Sequence, residues 1–240
     1  MRTNLPLQEV LEDEANSSEH GAQPVLLKNK RTRKLDILPK LVLNFVKFFI
    51  GVNMALIGKE INDFVANAFH DDNFITVSKN DLIGKWSVLF FYPADFTFVC
   101  PTELEDLADY YDEFKKNGCE VYSVSTDSHF VHKAWKDASK TIQKIKYPMI
   151  ADPTHTLSKD FDVLIEESGM AERGTFILNP EGKVAAYEVV AGNIGRNAEE
   201  LLRRVKALQF VAKYGDQVCP AKWHPGKSTL KPGIDLVGTI

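Results

Sequence analysis

Apolar residues fill almost every position of KWSVLFFY at 85–92, which predicts a central strand covered on both faces. FITVS at 74–78 reads as a shorter strand before it, with the turn-rich KNDLIG between the two. Over 101–117, Leu104, Leu107, Ala108, Tyr111 and Phe114 recur at helical spacing with acidic residues opposite them. Asn117-Gly118 ends that helix, and EVYSVSTD at 120–127 is the next strand, completing a β-loop-α-β unit with a parallel crossover. Residues 129–146 read as helix and YPMIAD at 147–152 as a short strand. TFILN at 175–179, the Pro180-Glu181-Gly182 turn and VAAYEVV at 184–190 form a hairpin. Asn197 with Glu200 three residues later resembles a capping box opening a helix that runs to about Tyr214. The 21 residues after Cys219 hold three prolines and three glycines and read as an extended tail. The whole pattern is α/β, a central sheet flanked by helices.

The front of the chain does not share this pattern. Residues 1–53 place an acidic cluster (Glu9, Glu12, Asp13, Glu14) before the basic run KNKRTRK, with no sustained period, and read as a disordered extension. LVLNFVKFFIGV at 41–52 is apolar, but at a dozen residues with Lys47 inside it falls short of the roughly 20 that span a bilayer. It also follows too long a leader for a secretory signal, and the acidic cluster argues against a transit peptide. The reading taken is a domain at 54–240 starting naturally at Met54, with 1–53 as an upstream extension; a targeting role is the alternative.

Across the 240 residues, a formal charge of −4 removes the basic face that a dedicated nucleic-acid binder needs, so neither a nucleic acid nor a membrane is expected as partner. Three cysteines are too few for a disulfide scaffold, and their odd number fits a cytoplasmic protein with reactive or buried thiols. The sequence contains no Walker loop, no Gly-x-Gly-x-x-Gly and no Cys-x-x-Cys, which argues against nucleotide chemistry and against a general thioredoxin-like reductase. His129 and His132 lack further ligands around them and read as ordinary polar positions, so no metal is expected.

Cys100 stands where the buried strand and a Pro-Ala-Asp loop give way to the helix. Its sulfur is expected among the unpaired N–H groups of the first turn, where the helix end favours the nucleophilic thiolate. Pro93, Thr97 and Cys100 form P-x-x-x-T-x-x-C, placing a hydroxyl near the sulfur and a ring that can shield it. Cys219 lies in a second Val-Cys-Pro tripeptide, 119 residues later.

With these residues the sequence resembles the typical two-cysteine peroxiredoxins, of the bacterial alkyl hydroperoxide reductase C type. The stretch FFYPADFTFVCPTELEDLADYYDEF carries the resemblance, which extends through YSVSTDSHFVHKAW, KIKYPMIADPT, GNIGRNAEELLRRVKALQ and VCPAKW to DLVGTI. The resemblance implies a thioredoxin-like fold with a mixed sheet, and a thiol peroxidase that reduces hydrogen peroxide and organic hydroperoxides. Cys100 matches the peroxidatic cysteine, Thr97 the threonine that bonds the peroxide, Pro93 the residue packed over the pocket and Arg173 the arginine beside the sulfur. Glu103 is expected to orient Arg173. Cys219 matches the resolving cysteine, which forms a disulfide with Cys100 of a second protomer, and Cys119 matches no catalytic position. The family further implies a homodimer assembling to a decamer, with Val131 in the contact between dimers. It implies no bound cofactor, and electrons from a flavoprotein disulfide reductase or thioredoxin. Glu-Ser-Gly-Met at 167–170 and the ending DLVGTI replace the Gly-Gly-Leu-Gly and Tyr-Phe elements of many eukaryotic relatives, implying fast disulfide formation and resistance to overoxidation. A holdase chaperone is the reading from a different class.

Overall fold

The computed structural model describes residues 55–240, and the expectations for the preceding segment, with the start at Met54, lie outside them. Seven strands form one sheet in the order β2-β1-β5-β4-β3-β8-β9. They are β1 (Val65–His70), β2 (Asn73–Ser78), β3 (Trp86–Phe91), β4 (Cys119–Ser125), β5 (Met149–Ala151), β8 (Arg173–Leu178) and β9 (Val184–Val190). The sheet is mixed: β3, β4 and β5 run parallel, while β8 lies antiparallel to β3, and β1 antiparallel to β5. A separate short hairpin joins β6 (Leu164–Ile165) to β7 (Met170–Ala171).

Strand β3 is central because both its faces are apolar. Val88 and Phe90 enter one buried cluster with Leu104, Leu107, Phe114, Trp135 and Val205; Leu89 and Phe91 enter another with Tyr122, Val124, Phe161 and Phe176. Alternation along the strand produces the two layers. The first is covered by α2 (Cys100–Asp109), α3 (Tyr111–Lys116), α4 (His129–Ala138) and α6 (Ala198–Lys213), and the second carries α5 (Thr156–Asp160).

Several elements differ from the pattern reading. Strand β1 escapes it because VANAFH has few β-formers, and because its hairpin to β2 turns on Asp71-Asp72, both left-handed at φ 46° and 59°. That tight turn ordinarily shows itself by a glycine. The KNDL turn contains a one-turn helix, α1 (Lys79–Leu82), closed by a reciprocal Ser78–Asp81 capping box. The single helix over 101–117 is two, parted at Tyr110. Helix α4 stops at Ser139, whose backbone turns extended and whose hydroxyl accepts from the Ile142 N–H, starting a 3₁₀ turn. The Asn197 cap is half a box: its side chain accepts from the Glu200 N–H (2.8 Å), but the Glu200 carboxylate goes to Arg203 and Arg204. The tail also folds back, Val218 pairing with Leu230.

Candidate active site

Helix α2 starts at Cys100, with Pro101 in its first turn, where a missing N–H costs nothing. The Cys100 side chain belongs to the first buried cluster and has no exposed surface. Opposite it, β8 begins at Arg173, and this side chain crosses to α2. Its Nη1 lies 3.3 Å from Cys100 Sγ and 2.6 Å from Glu103 Oε2, and its Nε donates to the Gly192 carbonyl. A guanidinium only donates, so the sulfur is the acceptor.

Glu103 receives a second guanidinium that the sequence pattern does not single out. Arg196 donates from its backbone N–H and Nε to Glu103 Oε1 (2.9 and 2.8 Å), and from Nη1 to the Gly174 carbonyl and the Thr175 hydroxyl. Its guanidinium also lies over the Phe90 ring, 3.4 Å from the centroid. Burial pulls the Arg196 pKa down from its ordinary value, and the Glu103 contact opposes that. The local sequence signal is GNIGRN: an arginine just ahead of a helix cap, near glycines that leave room for a side chain to turn inward. Two guanidinium groups against one carboxylate leave the buried cluster one positive charge in excess beside Sγ.

The loop between β3 and α2 is also fixed from beneath. Asp95 accepts from the Tyr92 hydroxyl (2.7 Å), lies 2.8 Å from His132 Nδ1, and donates its backbone N–H to Asp127. His132 is therefore no ordinary polar position; it is fully buried, and its Nε2 meets the Ile150 carbonyl at 3.2 Å. Burial, with the neighbouring Asp95 carboxylate, pushes the Tyr92 phenol well above its usual range. Pinned at Asp95, the chain next places Phe96 at φ 56°, a left-handed conformation that costs a bulky residue energy and that surrounding contacts must hold. Phe96 packs on Trp135. Thr97 Oγ1 donates to the Ala94 carbonyl at 2.8 Å, which leaves its oxygen free to accept, and Pro93 is half-buried at the start of the loop.

Cys100, Glu103 and Arg173 thus meet, with Thr97 and Pro93 on the loop above. Cys219 lies elsewhere, against α6, with Sγ 3.9 Å from the Ala207 carbonyl oxygen. Cys119 is buried at the start of β4, where desolvation pushes its thiol up to about 12. Among the described residues no His, Cys, Asp or Glu group of three or more is arranged to hold a metal ion, and no helix is long and apolar enough to cross a membrane.

Residues 57–187 match the AhpC/TSA family, and residues 207–235 match the C-terminal domain of 1-Cys peroxiredoxin. The second description names a one-cysteine group, yet the matched segment here contains Cys219. Alkyl hydroperoxide reductase C of Bacillus subtilis (strain 168) is 57% identical over 187 residues, which is all of that protein and 78% of this chain. The protein of that name from Escherichia coli (strain K12) is 54% identical over the same shares. Among solved structures, Enterococcus faecalis AhpC superposes with a TM-score of 0.68 at 57% identity, covering 70% of this chain and 100% of that one. The reduced 2-Cys peroxiredoxin of Plasmodium vivax gives 0.71 at 39% identity, covering 75% and 95%. A mixed sheet that delivers an arginine from β8 to a cysteine opening α2 is the frame on which these matches fall, and the chain belongs to the AhpC/TSA family as a peroxiredoxin peroxidase.

Proposed function

We propose that the chain reduces hydrogen peroxide and organic hydroperoxides through Cys100, and that Cys219 of a second protomer resolves the oxidised sulfur as an intersubunit disulfide. The observation that carries this reading is the Arg173 guanidinium held between Cys100 Sγ and Glu103 in a buried cluster whose excess positive charge an anionic sulfur balances. In the first step the Cys100 thiolate attacks the terminal peroxide oxygen. The S–O bond forms, the O–O bond breaks, and the leaving oxygen takes a proton to become water or an alcohol. Thr97 can accept the peroxide O–H, because its own proton is committed to Ala94. Arg173 faces the charge that develops, Glu103 and Arg196 fix Arg173, and Pro93 shields the loop from water.

Cys100 has no exposed surface. Peroxide entry requires the Pro93–Val99 loop to open, and resolution requires the first turn of α2 to unwind. Residues 167–169 lie in the turn of the small β6-β7 hairpin and Met170 opens β7, while Ile234–Leu236 form a 3₁₀ turn with Ile234 exposed. Both features favour unwinding and resistance to overoxidation. Exposed Phe74 and Phe130, stacked edge to face at 5.1 Å next to half-buried Val131, fit a contact between dimers in a decamer. The uncovered edge strand β9, with Tyr187 and Val189 outward, fits the dimer contact. Electrons come from a flavoprotein disulfide reductase or thioredoxin, with the cytoplasm as the compartment and 54–240 as the catalytic domain. The holdase alternative has no comparable support: the curated relatives above carry a reductase name.

One equivalent of hydrogen peroxide followed by a non-reducing gel and intact mass tests the reading. A disulfide dimer is expected in the unmodified chain and in a chain starting at Met54. Cys219→Ser should stop at a sulfenic or overoxidised monomer, and Cys100→Ser should consume no peroxide. A dimer that persists in Cys100→Ser, or a disulfide through Cys119, defeats the assignment.

A further inference from the structure

Cys219 does not hang on a loose tail. Val218 exchanges two backbone hydrogen bonds with Leu230 (2.8 and 3.1 Å), so the chain closes a loop that begins just before the cysteine and contains it. Trp223 lies inside that loop; it is buried, packs on Phe210 of α6 at 4.9 Å, and donates its indole N–H to the Lys227 carbonyl. Arg203 ties the loop to the helix. Its Nε and Nη2 hold the Glu200 carboxylate at 2.6 and 2.8 Å, while Nη1 donates to the Trp223 carbonyl at 2.8 Å. Ala207, whose carbonyl oxygen lies 3.9 Å from Cys219 Sγ, is four residues on, one turn along the same helix face.

We infer that Arg203 is a positioning residue for the resolving half of the peroxidase cycle, holding the Cys219–Trp223 turn on α6 and setting its cation beside the Cys219 sulfur. The inference rests on the assignment of Cys219 made above. In the step it serves, the Cys219 thiolate attacks the sulfur of the Cys100 sulfenic acid. The S–S bond forms and the S–O bond breaks; the departing hydroxide joins the proton released by the Cys219 thiol as water, and Cys219 is oxidised as the sulfenic sulfur is reduced. A sulfur packed against a helix carbonyl is badly placed to ionise. Burial pushes the Cys219 thiol up, and the Arg203 cation acts against that shift.

The other charged or titratable groups on the two packed elements are Glu199, Glu200, Arg204, Lys206 and Lys213 of α6, and Lys222, His224 and Lys227 of the loop. Of the charged side chains of α6, Arg203 is the one that donates into the loop carrying Cys219, through the Trp223 carbonyl. Its planar fork also makes it hard to replace, since one ammonium group cannot grip a carboxylate side-on and reach a carbonyl at once.

The test uses the full chain with Arg203→Gln and Arg203→Lys. In a Cys100→Ser, Cys119→Ser background, the rate at which iodoacetamide alkylates Cys219 is followed against pH by peptide mass. Arg203→Gln should move the midpoint to higher pH and slow alkylation near pH 7.5 by roughly three- to tenfold, whereas Arg203→Lys, which keeps the charge, should leave the midpoint in place. With all cysteines present, disulfide formation after a peroxide pulse should slow in both variants. The first oxidation of Cys100, measured in a Cys219→Ser background, should stay within about twofold of the parent. An unmoved midpoint in Arg203→Gln, in a protein whose unmodified form makes the Cys100–Cys219 disulfide normally, overturns the role of Arg203 alone. Absence of that disulfide from the unmodified chain overturns the assignment of Cys219 and the role of Arg203 with it.

Discussion

Glu103 sits between two guanidinium groups in a space closed to water, so its charge determines what those groups can do. Removing one member of a buried ion cluster leaves the others uncompensated, at about 3–5 kcal/mol. Glu103→Gln is nearly isosteric and should cost stability on that scale, seen as a lower midpoint in urea. It should also let Arg173 drift from Cys100, slowing peroxide reduction on the order of 100-fold in stopped-flow assays with the pulse kept below one equivalent. A variant with parental peroxide kinetics would show that Arg173 needs no such anchor. The pairing of Arg173 with Glu103 is legible only with the family resemblance, which marks Arg173, joined to the place of Glu103 one helical turn after Cys100. Arg196 is not legible: an arginine ahead of a helix cap looks like surface, and only the turn at Gly192–Gly195 brings it over Phe90. His132 resists sequence reading for a related reason, since its buried partner Asp95 lies 37 residues earlier in the chain.

The tail is tied to α6 through charge. Glu200 serves Arg203 and Arg204 together, and these contacts hold its carboxyl at about 2, below the ordinary 4.5. A depressed carboxylate contributes stability above its unfolded value and loses it as pH falls through the folded one. The tether should therefore be whole above about pH 4.5 and weaken from there towards about pH 2. Because Glu200 is partly exposed, the loss stays within about 1 kcal/mol and is confined to the tail. The Trp223 indole N–H resonance should broaden over that window, and Glu200→Gln should show the broadened signal already at pH 6. A signal sharp down to pH 2.5 in both proteins would show that this carboxylate does not hold the tail. From sequence alone this segment reads as extended, because proline and glycine counts report the lack of regular structure and do not report contacts made with a helix already folded.

At the scale of the molecule, the surface is most unlike that of an isolated monomer around the loop that carries the site. Phe98 is 93% exposed one residue before Val99, and Phe74, Phe96 and Phe130 are exposed nearby in sequence or in ring contact. An aromatic group of this kind marks an interaction surface. If the decamer proposed above forms, Phe130→Glu should convert it to dimers in light scattering while leaving the proposed Cys100–Cys219 disulfide able to form. A particle of parental mass would move the contact elsewhere. Much of the fold is legible in the chain. An all-apolar β3, a helix of 3.6-residue period after it and a turn-bounded hairpin state which faces are buried, and burial is what folding selects. Cys100 is legible too, because P-x-x-x-T-x-x-C is a local pattern, whereas the role of Cys219 comes with the family resemblance. Tertiary structure decided what depends on distance through space: which guanidinium reaches which carboxylate, that Asp95 and His132 pin the loop, and that Cys219 rests against Ala207 on the helix that carries Arg203. Sequence periodicity encodes solvent exposure residue by residue, whereas partners far apart along the chain are chosen by packing, and they meet only once both layers have closed on the sheet.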